Sequence, residues 1–277
     1  MRPLDRKTVL ITGAARGIGR SLAVGVSAAG ARLVLVDIDG AALQDTAKQI
    51  EATGGAVLSK AMDVTEPSSV EALQTEAKKR FGGVDILVNN AAIGPERISP
   101  RYLVDKPKFW EVSDQVWLAM LRVNVFGPQL MSRIFVGDML QKKWGRIVNI
   151  TTSLDTMYRQ GTGGYGPCKA ALEAASRVMA SDLADTGVTA NVLVPGGPVN
   201  TRMIPAASGF QPDKLIQPET MRAPLIWLCS DEANHINGVR IVAQKWSPEL
   251  PVDQRLAAAS APTAWPQLGA QSLFPTT

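Results

Sequence analysis

Apolar and polar positions alternate in blocks along most of this chain. The run Thr8-Val9-Leu10-Ile11-Thr12 stops at a glycine cluster, and Arg32–Asp37 and Val84–Asn89 repeat the pattern. Runs that are apolar on both faces suit parallel strands covered by helices on each side. Between them, Ala41–Thr53 and Ser68–Phe81 carry helical periodicity, and Pro67 suits a first helical turn. Farther on, Arg146–Thr151 predicts a strand, Tyr165–Asp185 a helix and Val188–Val194 a strand ending at Pro195. A helix over about Pro218–Cys229 and a last strand, Val239–Ala243, complete the series. Strand–helix alternation of this kind gives right-handed crossovers and an open, doubly wound parallel α/β sheet.

Two stretches break the rhythm. Gly94–Val112 holds Pro95, Pro100 and Pro107 among charged and aromatic residues and predicts a long loop. Ser247–Thr277 holds five prolines and no charge after Arg255. It reads either as a loosely ordered arm or as a segment docked on a neighbouring subunit. The expected organisation is therefore one catalytic domain over residues 1–246 with an extension over 247–277. The 277 residues suffice for one large core. With 29 basic and 25 acidic residues spread along the chain, the charge of +4 forms no basic stripe, and a nucleic-acid partner is not expected. No run approaches the ~20 apolar residues of a membrane span. The short polar stretch Met1–Lys7 leaves no room for a signal peptide, so a cytoplasmic protein is expected. Cys168, Cys229 and the lone His235 form no ligand pattern, which argues against a metal.

Candidate chemistry begins directly after the first run. In Thr12-Gly13-Ala14-Ala15-Arg16-Gly17-Ile18-Gly19, glycines permit a sharp turn and let backbone N–H groups face a pyrophosphate at a helix N-terminus. A glycine cluster alone is weak; its place after the first strand is what gives it weight. Asp37, at the end of the second run, is placed to accept hydrogen bonds from an adenosine ribose. A carboxylate there repels a 2′-phosphate and favours NAD, whereas Arg16 could reach that phosphate and favour NADP. Tyr165 and Lys169, at i and i+4, share a helix face. A neighbouring ammonium favours the phenolate, which is expected to lower the tyrosine pKa from about 10 toward working pH. Tyr165 would then exchange a proton with an alcohol or carbonyl oxygen.

Taken together, Thr12-Gly13-x-x-x-Gly17-x-Gly19, Asp63-Val64, Asn89-Asn90-Ala91, Asn124, the Ser153 region, Tyr165-x-x-x-Lys169 and Pro195-Gly196 resemble the short-chain dehydrogenase/reductase family. They occur in the family's order over about Lys7–Ala243. The resemblance implies a Rossmann-like α/β/α fold and hydride transfer between NAD (or NADP) and a secondary alcohol or ketone. It gives Tyr165 the acid/base role, and Lys169 the nicotinamide ribose. It gives Asn124 a water relay to Lys169, and an upstream hydroxyl the substrate oxygen. Gly13, Arg16, Gly17, Ile18 and Gly19 would hold the phosphates, Asp63 and Val64 the adenine. Asn89, Asn90 and Ala91 would line the groove, although Asn89 and Asn90 equally suit a purely structural role at the strand end. Pro195 and Gly196 would flank the nicotinamide. A homotetramer or dimer through the helices around Asp114–Leu140 and Tyr165–Asp185 is also implied.

Departures from the pattern bear on the site. The family's serine falls at Thr152, thirteen residues before the tyrosine, with Ser153 beside it; Ser153 is the preferred candidate for its smaller side chain, and Thr152 stays open. Ala92 replaces a glycine, Pro195–Thr201 is one residue longer than the common form, and Gln244-Lys245-Trp246 replaces an Asp-Gly-Gly. Cys168 is expected to pack. Specificity is expected in Gly94–Val112 and Arg202–Gln217, with Arg97, Arg101, Lys106 and Lys108 available to an anionic substrate and Phe109, Trp110, Met203 and Phe210 to an apolar wall. Two other readings stay open: an NADPH-dependent 3-oxoacyl-type ketoreductase, and a cofactor-binding protein without turnover.

Overall fold

A computed structural model describes residues 2–268. Its sheet, among those residues, has the order β3-β2-β1-β4-β5-β6-β7-β8. The strands are β1 (Thr8–Thr12), β2 (Arg32–Asp37), β3 (Val57–Ala61), β4 (Ile86–Asn89), β5 (Gly145–Ile150), β6 (Val188–Val194), β7 (Val239–Val242) and β8 (Ser260–Pro262). Seven run parallel and β8 is antiparallel to β7. The order reverses between β1 and β4, and a doubly wound sheet presents its ligand crevice at that switch point.

Crossovers are supplied by α1 (Gly17–Ala28), α2 (Gly40–Glu51), α3 (Pro67–Phe81), α4 (Tyr102–Asp105), α5 (Asp114–Leu121) and α6 (Gly127–Lys142), then α7 (Leu154–Met157), α8 (Tyr165–Asp182), α9 (Arg222–Cys229) and α10 (Val252–Ala259). Each face of the sheet carries its own core. Val9, Ile11, Leu33 and Leu35 point to one with Leu22 and Leu225, while Leu10, Val34 and Leu87 point to the other with Val70, Leu130 and Phe135. Alternation within fully buried strands explains why these runs are apolar throughout. The start of α2 is fixed by Asp39, whose carboxylate accepts from Ala42 N at 3.1 Å.

Three features differ from expectation. β3 carries no apolar run because one of its sides borders no strand and its outer residues are half exposed. Arg122–Phe126 is a π-helical turn joining α5 to α6. The extension expected as an arm from Ser247, or as a segment for a neighbouring subunit, instead folds onto its own sheet as far as Pro262. Its α10 leads into β8, and Thr263 anchors the end through Thr263 N and Oγ1 on Gly238 O at 3.0 and 3.1 Å. The rest of that extension, from residue 269, lies outside the described residues.

Candidate active site

A cleft of about 1090 Å³ opens at the carboxyl ends of the central strands. It is lined by Gly13, Arg16, Gly17, Ile18, Gly19, Asp37, Asp63, Val64, Asn90, Ala91, Thr152, Ser153, Tyr165, Lys169, Pro195 and Gly196, and of the site residues expected from sequence only Asn89 and Asn124 do not line it.

At one end lies the glycine turn. Gly13 (φ +67°) and Gly17 (φ +51°) sit in the left-handed region, and a Cβ on Gly13 would meet Ala91 Cα at 2.8 Å. Asn90 donates from Nδ2 to the carbonyls of Thr12 (2.9 Å) and Gly13 (3.1 Å), and Thr12 Oγ1 accepts from Asn90 N and Ala91 N, both at 3.0 Å. Asn90 therefore holds the turn as well as facing the cleft. Asn89 does not face it: its amide donates to Asn149 Oδ1 (2.8 Å) and Ser132 Oγ (3.2 Å) in the buried layer, so its expected place in the groove is corrected.

Asp37 accepts from Ala15 N (2.9 Å) and Asp39 N (3.0 Å), which fixes its carboxylate at the cleft's edge. Arg16 is paired with Asp39 at 2.6 Å, and the bond from Arg16 holds the Asp39 carboxyl below its ordinary range. The tension between Arg16 and Asp37 thus resolves toward acid, because the guanidinium already has a carboxylate partner and a second carboxylate stands beside it.

In the middle of the cleft are Tyr165 and Lys169 on the first turns of α8. Both are buried, with Lys169 Nζ 5.9 Å from the Tyr165 ring centroid and donating to Ile150 O at 2.8 Å. Burial pushes the Tyr165 phenol well above its ordinary value, and Tyr102 and Glu96 add to the rise; only a hydrogen bond with Thr152 opposes it. Burial also brings Lys169 down to about 8. The expected lowering of the tyrosine by the lysine is therefore not what this geometry produces: with Lys169 Nζ 5.9 Å from the ring centroid and donating to Ile150 O, desolvation sets the direction.

The hydroxyl question turns on α7. Ser153 precedes that helix, its Oγ lies 2.9 Å from Thr156 Oγ1, and its hydrogen bond is the main reason the Asp155 carboxyl is lowered. Thr152 also lines the cleft, and its hydroxyl is the group that favours ionisation of Tyr165. Both hydroxyls line the cleft, Ser153 with a contact inside the α7 turn and Thr152 with an influence on the tyrosine, so both stay candidates for the substrate oxygen.

Asn124, like Asn89, does not line the cleft. Fully buried in the π turn, it accepts from Ile93 N and donates to Ile93 O, both at 2.8 Å. Its side chain thus holds the backbone of Ile93 and fixes the wall that follows Ala91. A π turn re-aims side chains within a helix, a recurring device at functional sites.

Behind the site, Glu173 and Arg240 form a buried ion pair at 2.8 Å. Glu173 also accepts from Thr151 Oγ1 (3.1 Å), and Arg240 donates to Thr152 O (2.9 Å). Sequence spacing gave no hint of this pair, which couples α8 and β7 to the backbone that carries Thr152. The extra residue in Pro195–Thr201 is taken up by pairing with Ile216, through Asn200 N to Ile216 O (2.9 Å) and Ile216 N to Pro198 O (3.0 Å). Gln244 packs against Gly196, and Trp246 lies against Trp227 at 5.0 Å.

The variable segments contribute differently from expectation. Of the eight residues proposed for specificity, Met203 alone lines the cleft. Arg101 is held by Asp105 at 3.0 Å, and Phe109 and Trp110 are exposed and meet edge to face. Pro95, Glu96, Tyr102 and Leu103 face inward instead, with Arg159, Gln160 and Ile204 from other loops. Among the described residues there is no His/Cys/Asp/Glu group able to hold a metal, and no helix is long and apolar enough to cross a membrane.

A family model for short chain dehydrogenases matches residues 7–209. The 3-oxoacyl-(acyl-carrier-protein) reductase of Escherichia coli is 30% identical over 243 residues, covering 84% of this chain and 94% of the reductase. The D-threitol dehydrogenase of Mycolicibacterium smegmatis is 32% identical over 248 residues, covering 86% and 92%. Among solved structures, a short chain dehydrogenase from Mycobacterium paratuberculosis bound to NAD superposes with a TM-score of 0.76 at 25% identity, covering 87% of this chain and 98% of that one.

Proposed function

From the premise that this chain belongs to the short-chain dehydrogenase/reductase family, and is an NAD(P)-dependent oxidoreductase acting on CH–OH groups, we propose that it works with NAD(H), with Tyr165 as the acid/base and Thr152 as the hydroxyl that holds the substrate oxygen. The observation that carries the reading is the meeting of Tyr165, Thr152 and Lys169 at the mouth of a glycine-lined crevice.

The crevice fits a dinucleotide on its own terms. Gly13 and Gly17 turn through the left-handed region, a Cβ on Gly19 would strike the Gly13 carbonyl, so glycines are what let the chain close this tightly, and α1 begins at that point with its N-terminus at the cleft. Gly13, Arg16, Gly17, Ile18 and Gly19 would hold the phosphates, Asp37 the adenosine ribose, and Asp63 and Val64 the adenine. Ala91, Pro195, Gly196 and Lys169 would hold the nicotinamide half. Bound there, the nicotinamide supplies the hydride acceptor or donor.

The chain's own residues handle the proton. With its phenol protonated at neutral pH by burial, Tyr165 is set to donate to a carbonyl oxygen during reduction. In oxidation it must accept the alcohol proton, and the Thr152 hydrogen bond favours that phenolate. Thr152 also fixes the oxygen's position, which converts encounter into orientation. Asn124 keeps the Ile93 wall in register with the tyrosine.

The paired carboxylates Asp37 and Asp39 support NAD over NADP, since a 2′-phosphate would meet like charge and Arg16 is engaged. Identity to the acyl-carrier-protein reductase supports a second reading, reduction of a 3-oxoacyl group by NADPH. We place the protein in the cytoplasm, where the two free, buried cysteines would remain thiols, and as a homotetramer or dimer.

Tyr165→Phe tests the reading together with a cofactor titration. Turnover is expected to fall by about 100-fold or more while NADH fluorescence still reports binding; retained turnover would remove Tyr165 from the chemistry. Wild-type protein is expected to bind NADH at least ~10-fold more tightly than NADPH, one charge–charge contact's worth. The reverse order would favour the ketoreductase. Binding of either cofactor with no turnover of any alcohol or ketone would favour a protein that only senses it.

A further inference from the structure

The loop after β6 crosses the cleft and is tied down along the way. Its base is closed by Asn200 N on Ile216 O (2.9 Å) and Ile216 N on Pro198 O (3.0 Å). Just beyond, Thr201 stands over the glycine turn, its Cγ2 2.9 Å from where a Cβ on Gly17 would lie. Met203 then reaches the insertion on the other wall. Its side chain packs on Gly94, where a Cβ would meet Met203 Cγ at 2.6 Å, and joins the apolar cluster of Met120, Tyr165 and Cys168. The Tyr102 hydroxyl donates to Met203 O at 3.3 Å. Past these ties, residues 206–214 are mostly exposed, and α4 touches only the turn Ala206–Ser208.

Tyr102 itself is firmly held. Its ring is buried at the start of α4, and the end of α4 packs on Gly161, where a Cβ would meet Lys106 Cα at 2.8 Å. Burial pushes its phenol up to about 12, so it keeps the proton it donates throughout the neutral range.

We propose that Tyr102 is a positioning residue that latches the 200–216 loop: through Met203 it holds the loop across the dinucleotide crevice, so that cofactor leaves only when this latch opens. The NAD(H) reading supplies what occupies the crevice, and the inference rests on it to that extent. Both halves of the latch belong to the chain, so closure needs no contact from substrate. An exposed loop gains conformational entropy on opening. One hydrogen bond and one packed side chain oppose that gain, which makes opening local and far easier than unfolding. Release steps of this kind set the turnover of many enzymes.

Trypsin reads the latch without cofactor. Arg202 and Lys214 are exposed cleavage sites within the loop, while Lys79 on α3 and Arg133 on α6 report on the rest of the fold. Tyr102→Phe keeps the ring and removes the donor. It should speed cleavage after Arg202 and Lys214 by about threefold or more, the scale of one hydrogen bond, and leave Lys79 and Arg133 unchanged. Met203→Ala should act in the same direction, and the two together should exceed either. Stopped-flow displacement of NADH should show release from Tyr102→Phe faster by a similar factor. Loop cleavage indistinguishable from the wild type in Tyr102→Phe would overturn the latch, as would equal acceleration at Lys79 and Arg133, which marks a fold loosened throughout. Faster loop cleavage with unchanged NADH release would overturn its control of the cofactor. If the wild type binds no NADH, the NAD(H) reading fails, and the trypsin rates alone decide whether Tyr102 holds the loop.

Discussion

Thr152 and Ser153 are adjacent hydroxyls with different duties, and their substitutions should separate cleanly. Thr152→Val keeps the shape and removes the bond to Tyr165, so kcat should drop by about 100-fold, the scale of one lost transition-state donor. Ser153→Ala removes only contacts within the α7 turn and should cost less than about tenfold. Steady-state kinetics on both variants decide this, and equal losses would return the role to Ser153. Lys169 offers a test of stability. Its folded pKa is depressed to about 8 from an unfolded value of 10.5, so the unfolded chain binds more protons between those limits. Stability from this group therefore rises with pH across that window, and below it the buried ammonium costs on the order of 3 kcal/mol. Cofactor-free Lys169→Met should melt above the wild type at pH 7, with the gap closing toward pH 10; a gap that widens would contradict the burial argument. The glycine turn, Asp37 and the Tyr165–Lys169 pair were legible in the sequence because their chemistry is set by local spacing. Thr152 and Ser153 were not separated because adjacent hydroxyls at the start of α7 both reach the cleft, and Glu96 was missed because its direction is set by packing of the insertion.

The elements hold the site through contacts that cross the sheet. Arg240 of β7 and Glu173 of α8 bury opposite charges at 2.8 Å, and Arg240 ties both to Thr152 O. Removing one partner strands the other, and such losses run to about 3–5 kcal/mol. Arg240→Met and Glu173→Leu should each lower the melting temperature markedly, whereas the double replacement should recover much of the stability. The double variant should still show reduced kcat, because the Thr152 carbonyl has lost its anchor. A thermal-melt cycle with kinetics on each member checks this, and additive losses in stability would mean that the two charges do not act as a pair. Strands covered on both faces announced themselves as apolar runs, with β6 matching its expected bounds. β3 and β8 did not, since one is half exposed with Ser59 and Lys60 at its centre and the other is three residues long. α10 and β8 matter despite their faint signal: they cover the edge of β7, which would otherwise leave a row of backbone groups open to pairing with another chain.

For the whole molecule, some of the exposed apolar residues fall on the helices where association was expected, while others such as Phe109, Trp110 and Tyr158 lie on loops. Leu118 on α5 is 57% exposed, Phe126 in the π turn 45% and Val178 on α8 59%, and α5, the π turn and α8 are in mutual contact. Large apolar side chains left exposed along adjoining helices are costly to leave in water and point to an interaction surface. The same face on a second copy is the simplest cover for it, because a two-fold axis makes any patch its own partner. The charges do not oppose this, since +4 over 277 residues leaves little repulsion between copies. Since α8 begins with Tyr165 and Lys169 and the π turn holds Asn124, a dimer through this face would also stiffen the scaffold of the active site. Light scattering at micromolar concentration should therefore give the mass of a dimer or tetramer. Leu118→Glu combined with Val178→Glu places charge in the patch and should shift the mass toward monomer, with turnover falling in step as the helices lose their support. A wild type that is monomeric at that concentration, or a double variant of unchanged mass, would assign these side chains to some other partner and leave α8 to be held by its own sheet alone.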